Sequence, residues 1–328
     1  MPRSVGVMHG WVMKRSLVLC LLLTTIIAGS ARGSEFRFLP RLAPDLVKVR
    51  LVLDGANSST SAPDVAQSCE GVTFTRNLKY RENEQTVLDV ATADVQSAVS
   101  RPVLLFVAGE NFAGENGIPD FTGPLQDAAM CFAARNGMVG VRMAYQLAPA
   151  NPWPGGARDV ATAISWIRDN IDLFQGNAQQ IVAIGYSVGA SHVASYLAHP
   201  ELQVRGHGVA GVVLVSGIYR TDPDASDAER AYFGDDASKY EERSAFPGIS
   251  RIETPILLAW SVLDSPRLIV QGEKLKEFLC SVPAHCPHIK VLESRGGLSS
   301  VFARDLAKSS LAEPTLELVR IIEARGLP

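Results

Sequence analysis

The sequence is short of almost every feature that would mark a specialised composition. Its 328 residues carry 31 basic and 34 acidic side chains, a formal net charge of -3. That balance leaves no excess of positive charge for a nucleic-acid partner. There is no internal repeat and no low-complexity tract, which excludes a solenoid and a largely disordered chain. Long hydrophobic runs are missing too. The one extended apolar run, residues 17–27, has about eleven residues against the ~20 that cross a bilayer, so no stable membrane span is expected. Only five cysteines and six histidines occur, none with metal-site spacing, so no metal or cofactor is expected. What is present is 47% hydrophobic side chains, enough at this length to bury a large core without disulfides or metals.

The first thirty residues have the order of a secretory signal. Lys14 and Arg15 precede the apolar run, and the small residues Ala28, Gly29, Ser30 and Ala31 follow it, the n, h and c regions in turn. Met13 is a candidate start and cleavage near Ser30 is expected. Removal of residues 1–30 takes away Arg3, Lys14 and Arg15 and no acid, leaving a mildly acidic, secreted or periplasmic chain. Export also removes Cys20, and Cys69, Cys131, Cys280 and Cys286 remain. An even number in an oxidising compartment suggests two disulfides, and four cysteines allow three connectivities. In the stretch CSVPAHC a local bridge between Cys280 and Cys286 is the simplest choice, which would pair Cys69 with Cys131. Four buried free thiols are the alternative.

Residues 31–68 have no clear period and read as an N-terminal arm before a domain over 69–328. From Val72 the pattern becomes regular. VTFTRNLKY and QTVLDVAT read as a strand hairpin, and PVLLFVAG as a buried strand. Helical and strand periods then alternate to the C-terminus. Continuous apolar strands alternating with helices predict an α/β fold, a doubly wound and mostly parallel sheet covered on both faces. Sites in such sheets lie at the carboxyl ends of the strands. Residues 218–250, charged and aromatic, interrupt the alternation and are expected to form a lid insert, with a solvated surface loop as the alternative.

The strongest chemical signal is Gly185, Tyr186, Ser187, Val188, Gly189, directly after the apolar run IVAI. A GxSxG between a strand and a helix of small residues is a nucleophile elbow, where the serine sits on a strained backbone with its hydroxyl pushed out above the sheet. The flanking glycines avoid a Cβ where strand and helix pack closely. The Val188 N–H, at the helix start, is expected to point at a developing oxyanion.

Around this elbow the chain resembles the α/β-hydrolase carboxylesterases and lipases, near the feruloyl-esterase-like and kynurenine-formamidase-like members. The resemblance covers roughly residues 72–325. It rests on GYSVGASHVASYLAHPEL, on YQLAPANPWPGGARDV, similar to the family's YRLAPEHPWP, and on LVSGIY and YFGDD. It implies the α/β-hydrolase fold with a lid and acyl-ester cleavage through Ser187. It also places the acid of a triad at Asp264, after the strand ILLAWS, where it would orient and stabilise an imidazolium. An exposed loop Asp before a Ser-Pro turn is the alternative.

Two positions depart from the family pattern. The oxyanion loop HGGGF corresponds here to Ala108, Gly109, Glu110, Asn111 and Phe112. Backbone donors from Gly109 and Glu110 survive such a change, but the Glu110 carboxylate would approach a site that must hold negative charge. The family's base lies in a segment like LAGHNHLSEV, and the matching stretch is LESRGGLSSV, with Gly297 at the histidine position.

No other histidine is well placed. His9 leaves with the signal. His207, His285 and His288 lie before the starts of their strands, roughly 20 Å from the catalytic end of the sheet. His199 is about 18 Å down the helix from Ser187, and His192, more than one turn along, should face away as a packing or capping residue. Removing the base from such a site costs on the order of a million-fold in turnover. The expectation is therefore a serine-hydrolase-family protein of weak or lost activity, a possible pseudoenzyme, acting on a small-molecule ester or acid. A noncatalytic protein that binds a small ligand or partner is the alternative.

Overall fold

A computed structural model describes residues 69–82, 86–95, 97–107, 109, 111–114, 124–293 and 311–326. The expected signal, the arm, Ala108, Glu110 and Gly297 lie outside the described residues. The described residues fall in one compact unit, 60–328.

Eight strands form one sheet in the order β1-β2-β4-β3-β5-β6-β7-β8. They are β1 (Val72–Lys79), β2 (Val87–Ala93), β3 (Arg101–Val107), β4 (Val139–Met143), β5 (Gly176–Tyr186), β6 (Gly211–Val215), β7 (Ile256–Ser261) and β8 (His288–Leu292). β1 and β2 are antiparallel, and from β4 through β8 every pairing is parallel. The interior strands explain themselves. Every residue of β3, β4, β6 and β7 is buried, as strands covered on both faces require.

The helices are α1 (Pro124–Arg135), α2 (Gly155–Asn170), α3 (Val188–Ala198), α4 (Asp227–Phe233), α5 (Tyr240–Arg243), α6 (Pro266–Ser281) and α7 (Ala312–Arg325). Two apolar cores lie on opposite faces of the sheet, one with α2 and α3, the other with α1 and α7. α3 is buried along its whole length, which its run of Gly, Ala and Ser side chains permits by letting backbones approach. A Cβ at Gly185 would stand 2.4 Å from the Ala190 Cα, so the elbow cannot take a larger residue there. Among the described residues no helix is long and apolar enough to cross a membrane.

Two features tie the first strands to the rest. Arg142 of β4, 1% exposed, faces Asp89 of β2 in register, with Nη2 2.5 Å from the carboxylate and Nη1 3.1 Å from Asp127 of α1. Asp89 also accepts from Arg76 at 3.1 Å and from the Asn77 N–H at 2.8 Å. The second feature is covalent: Cys69 is bonded to Cys131 of α1 and Cys280 to Cys286, the pairing that the spacing suggested.

The 218–250 segment carries α4 and α5, with Tyr219, Tyr232, Phe233 and Tyr240 all buried. Its first helix begins with a reciprocal cap, Ser226 with Glu229, which satisfies two of the orphan donors of the first turn. Glu229 then reaches Arg267 of α6 at 2.7 Å.

Candidate active site

Ser187 stands between β5 and α3 at φ 53° and ψ -122°, a left-handed conformation that a non-glycine residue adopts at a cost of about 1–3 kcal/mol. Its N–H donates to the Val215 carbonyl at 2.8 Å, and its own carbonyl accepts from the Ala190 N–H at 3.0 Å. The backbone is thus held on both sides, as the GxSxG context predicts.

Across the next strand lies a residue that the sequence did not single out. Ser216 follows β6, also with φ 53°, and is 6% exposed. The pairing of Tyr186 with Val215 makes it the lateral neighbour of Ser187. Its hydroxyl donates to Asp264 Oδ2 at 2.6 Å, and the Ser261 N–H donates to the same oxygen at 2.9 Å. Asp264 is therefore fixed at the carboxyl end of the sheet, while its Oδ1 makes no hydrogen bond among the described residues. Only the register of β5 against β6, invisible in a single sequence, distinguishes Ser216 from any serine ending a strand.

The oxyanion side differs from expectation. The Val188 N–H does not stand open at the helix start but donates to the Gly109 carbonyl at 3.2 Å. An acceptor thus occupies the side of the amide on which an oxyanion would need a donor. The close approach leaves no room for a side chain at Gly109, where a Cβ would lie 1.7 Å from the Tyr145 hydroxyl. The bond is at the long end of the normal range and contributes about 0.5–1.5 kcal/mol. A missing base costs roughly 8 kcal/mol, a million-fold at 1.36 kcal/mol per decade. If the base is missing as expected, that is the larger deficit.

The histidines are engaged elsewhere. His192, 1% exposed, lies over Gly156, where a Cβ would be 2.4 Å from its ring. The ring packs among Tyr145, Tyr232 and Phe112, with centroids at 4.6, 5.0 and 5.7 Å. It is a helix-packing residue. Both nitrogens of His199 face backbone carbonyls, Ser195 at 2.7 Å and Glu242 at 3.0 Å. His207 Nδ1 accepts from the Val209 N–H at 3.3 Å, and His285 Nδ1 faces the Pro283 carbonyl at 2.7 Å. His288 is the first residue of β8 rather than preceding it, and is exposed. None of the described histidines bonds to Ser187 or Asp264. Among the described residues there is also no group of three or more His, Cys, Asp or Glu that could hold a metal.

Burial drives the His192 imidazole down to a pKa of about 3. A group whose folded pKa lies below its unfolded value favours folding most at high pH. Its contribution is complete above about 6.5 and is lost as pH falls towards 3, at about 1.4 kcal/mol per pH unit. His192→Phe, which never charges, should flatten this acid leg in urea unfolding between pH 7 and 4. Identical slopes in the two proteins would contradict the assignment.

Asp159, fully buried, organises the neighbouring YQLAPANPWP loop. Its Oδ2 accepts from the Gln146 N–H at 3.0 Å and from Asn151 Nδ2 at 3.1 Å, and Arg81 lies 3.0 Å from Oδ1. Burial pushes its pKa up, while the Gln146 amide, Arg81 and Asn151 pull it down.

Comparison with known proteins agrees with the fold. The profile of a family described as alpha/beta hydrolase fold matches residues 122–259. Esterase LipC of Mycobacterium tuberculosis is 32% identical over 169 residues, covering 49% of this chain and 40% of that protein. Phenmedipham hydrolase of Pseudarthrobacter oxydans is 31% identical over 111 residues, covering 31% and 21%. The chain thus matches less than half the length of these curated relatives. Among solved structures, esterase B from Lactobacillus rhamnosis superposes with a TM-score of 0.60 at 18% identity, over 85% of this chain and 94% of that one. The chain is an α/β-hydrolase-fold protein. The curated proteins that it matches over part of their length are named as an esterase and a hydrolase.

Proposed function

We propose that the chain is an exported protein of the ester-cleaving class whose hydrolytic activity is weak or lost. In this reading Ser187 stands in the place of the nucleophile, Asp264 in that of the acid and Gly297 in that of the base. The carrying observation is that no described histidine reaches Ser187 or Asp264. If an ester is cleaved, the Ser187 hydroxyl attacks its acyl carbonyl, the alkoxide leaves, and water releases the acid from the acyl-serine. The Val188 and Glu110 amides would face the oxyanion after the Gly109 carbonyl has moved aside. Without an imidazole the serine proton must pass to water, at a cost on the order of a million-fold in turnover for a site of this kind.

The relatives' names, esterase and hydrolase, support an acyl compound as the ligand, a small ester or acid. Export is supported by the two disulfides, which use all four cysteines left after residue 30; such pairing is stable in an oxidising compartment. The engaged Val188 amide favours a second reading, a noncatalytic protein that binds such a ligand.

The test is hydrolysis of short-chain nitrophenyl esters by the purified mature protein beside Ser187→Ala. Both should turn over at close to the same low rate. Turnover in the ordinary enzyme range, ~1–10³ per second, abolished by Ser187→Ala, would sink the reading of lost activity.

A further inference from the structure

We infer that Tyr145 is a positioning residue of the oxyanion side: its hydroxyl is the donor that takes over the Gly109 carbonyl when the Val188 amide is released. This role rests on the reading that Ser187 stands in the place of the nucleophile, because only then does the Val188 amide face an oxyanion.

One acceptor stands between two donors. The Gly109 carbonyl accepts from the Val188 N–H at 3.2 Å, at the long end of the normal range. The Tyr145 hydroxyl stands at the same residue, 1.7 Å from where a Cβ of Gly109 would lie, and so fills the space that the glycine leaves empty. It is buried and has no hydrogen-bond partner among the described residues. A buried hydroxyl without a partner is costly. Burial also raises its pKa far above the ordinary tyrosine value, so it keeps its proton and lacks only an acceptor. Turning the Gly109 carbonyl about its Cα–C bond, towards the position of the absent Cβ, supplies one. Glycine permits the turn because no side chain stands in the path.

The tyrosine itself is fixed. The Ala144 N–H donates to the Val87 carbonyl at 2.9 Å and the Gln146 N–H to Asp159 at 3.0 Å, which holds the chain on both sides of Tyr145. Its ring packs edge-on against His192, with centroids 4.6 Å apart. Neither setting of the carbonyl satisfies both donors from the protein alone. The observed one leaves the Tyr145 hydroxyl unpaired in the interior. The other frees the Val188 N–H at the start of α3, where Ser187 is half-buried and water or an oxyanion can accept from the amide.

Hydrogen exchange at the Val188 amide, followed by nuclear magnetic resonance on the purified protein, tests this role. It requires no turnover, so its outcome is decided separately from the reactivity of Ser187. Tyr145→Phe keeps the ring but removes the second donor, and should slow exchange at Val188 by about fivefold or more. Loss of a merely structural contact would speed it instead. Exchange at Leu105 and Ile184, in β3 and β5, should be unchanged. Val188 should also be unchanged in Tyr232→Phe, which removes another buried hydroxyl without a partner that lies farther from Gly109. Unchanged or faster exchange at Val188 in Tyr145→Phe, slowing shared by Leu105 and Ile184, or equal slowing in Tyr232→Phe would each overturn the role assigned to Tyr145.

Discussion

Gly297→His, introduced together with Ala108→His, is expected to raise the hydrolysis of a short-chain nitrophenyl ester by on the order of 10²–10⁴-fold. Gly297 follows β8, the strand beside β7, and Asp264 follows β7. In the proposed site the carboxylate in the place of the acid is already held. Ser216 and the Ser261 amide both bond Oδ2, leaving Oδ1 for an imidazole N–H, and Ser187 is held by its backbone at the elbow. What the double variant must still overcome is the Val188 to Gly109 bond, worth about 1 kcal/mol. That is small beside a general base. An unchanged rate in a folded double variant would show instead that the engaged oxyanion amide is the principal defect.

Asp89→Ala is expected to lower stability by about 3–5 kcal/mol, because it leaves the Arg142 charge short of its closest partner in the interior. Asp89 neutralises Arg142 at 2.5 Å, bonds Arg76 at 3.1 Å and caps the Asn77 N–H at 2.8 Å. Asp127, 3.1 Å from Arg142 Nη1, remains but is only one of the two carboxylates. Replacing both partners, Asp89→Leu with Arg142→Met, should cost much less, since two apolar side chains need no compensation. Urea unfolding at neutral pH measures both. A loss below about 1 kcal/mol for Asp89→Ala would mean that the pair is solvated in solution.

The fold was legible because its strands are apolar throughout. VLLFV, VVLV and ILLAW can only be buried on both faces, and their alternation with helices left few topologies. The elbow was equally legible, since GxSxG combines a steric need, seen in the 2.4 Å at which a Cβ on Gly185 would meet the Ala190 Cα, with a required strand–turn–helix context. Two parts of the site were not. The role of Ser216 depends on lateral register between β5 and β6 and on a loop forty-eight residues further on, and no local pattern encodes such a neighbour. The use of the Val188 amide depends on how Gly109 packs beneath Tyr145, a matter of tertiary contact. The histidines illustrate the same limit in reverse. Their spacing along α3 excluded His192 and His199 from the serine, but only the packing revealed an aromatic enclosure around one and two carbonyls around the other.

The central claim is that Ser187 occupies a formed elbow without an activating base. Intact-mass measurement of the mature protein after exposure to a fluorophosphonate tests it directly, since this reagent reports serine nucleophilicity independently of any substrate preference. The expected result is an unmodified chain over the time in which an active serine esterase is fully labelled, with Ser187→Ala indistinguishable from the parent. Rapid addition of one phosphonyl group, absent in Ser187→Ala, would contradict it.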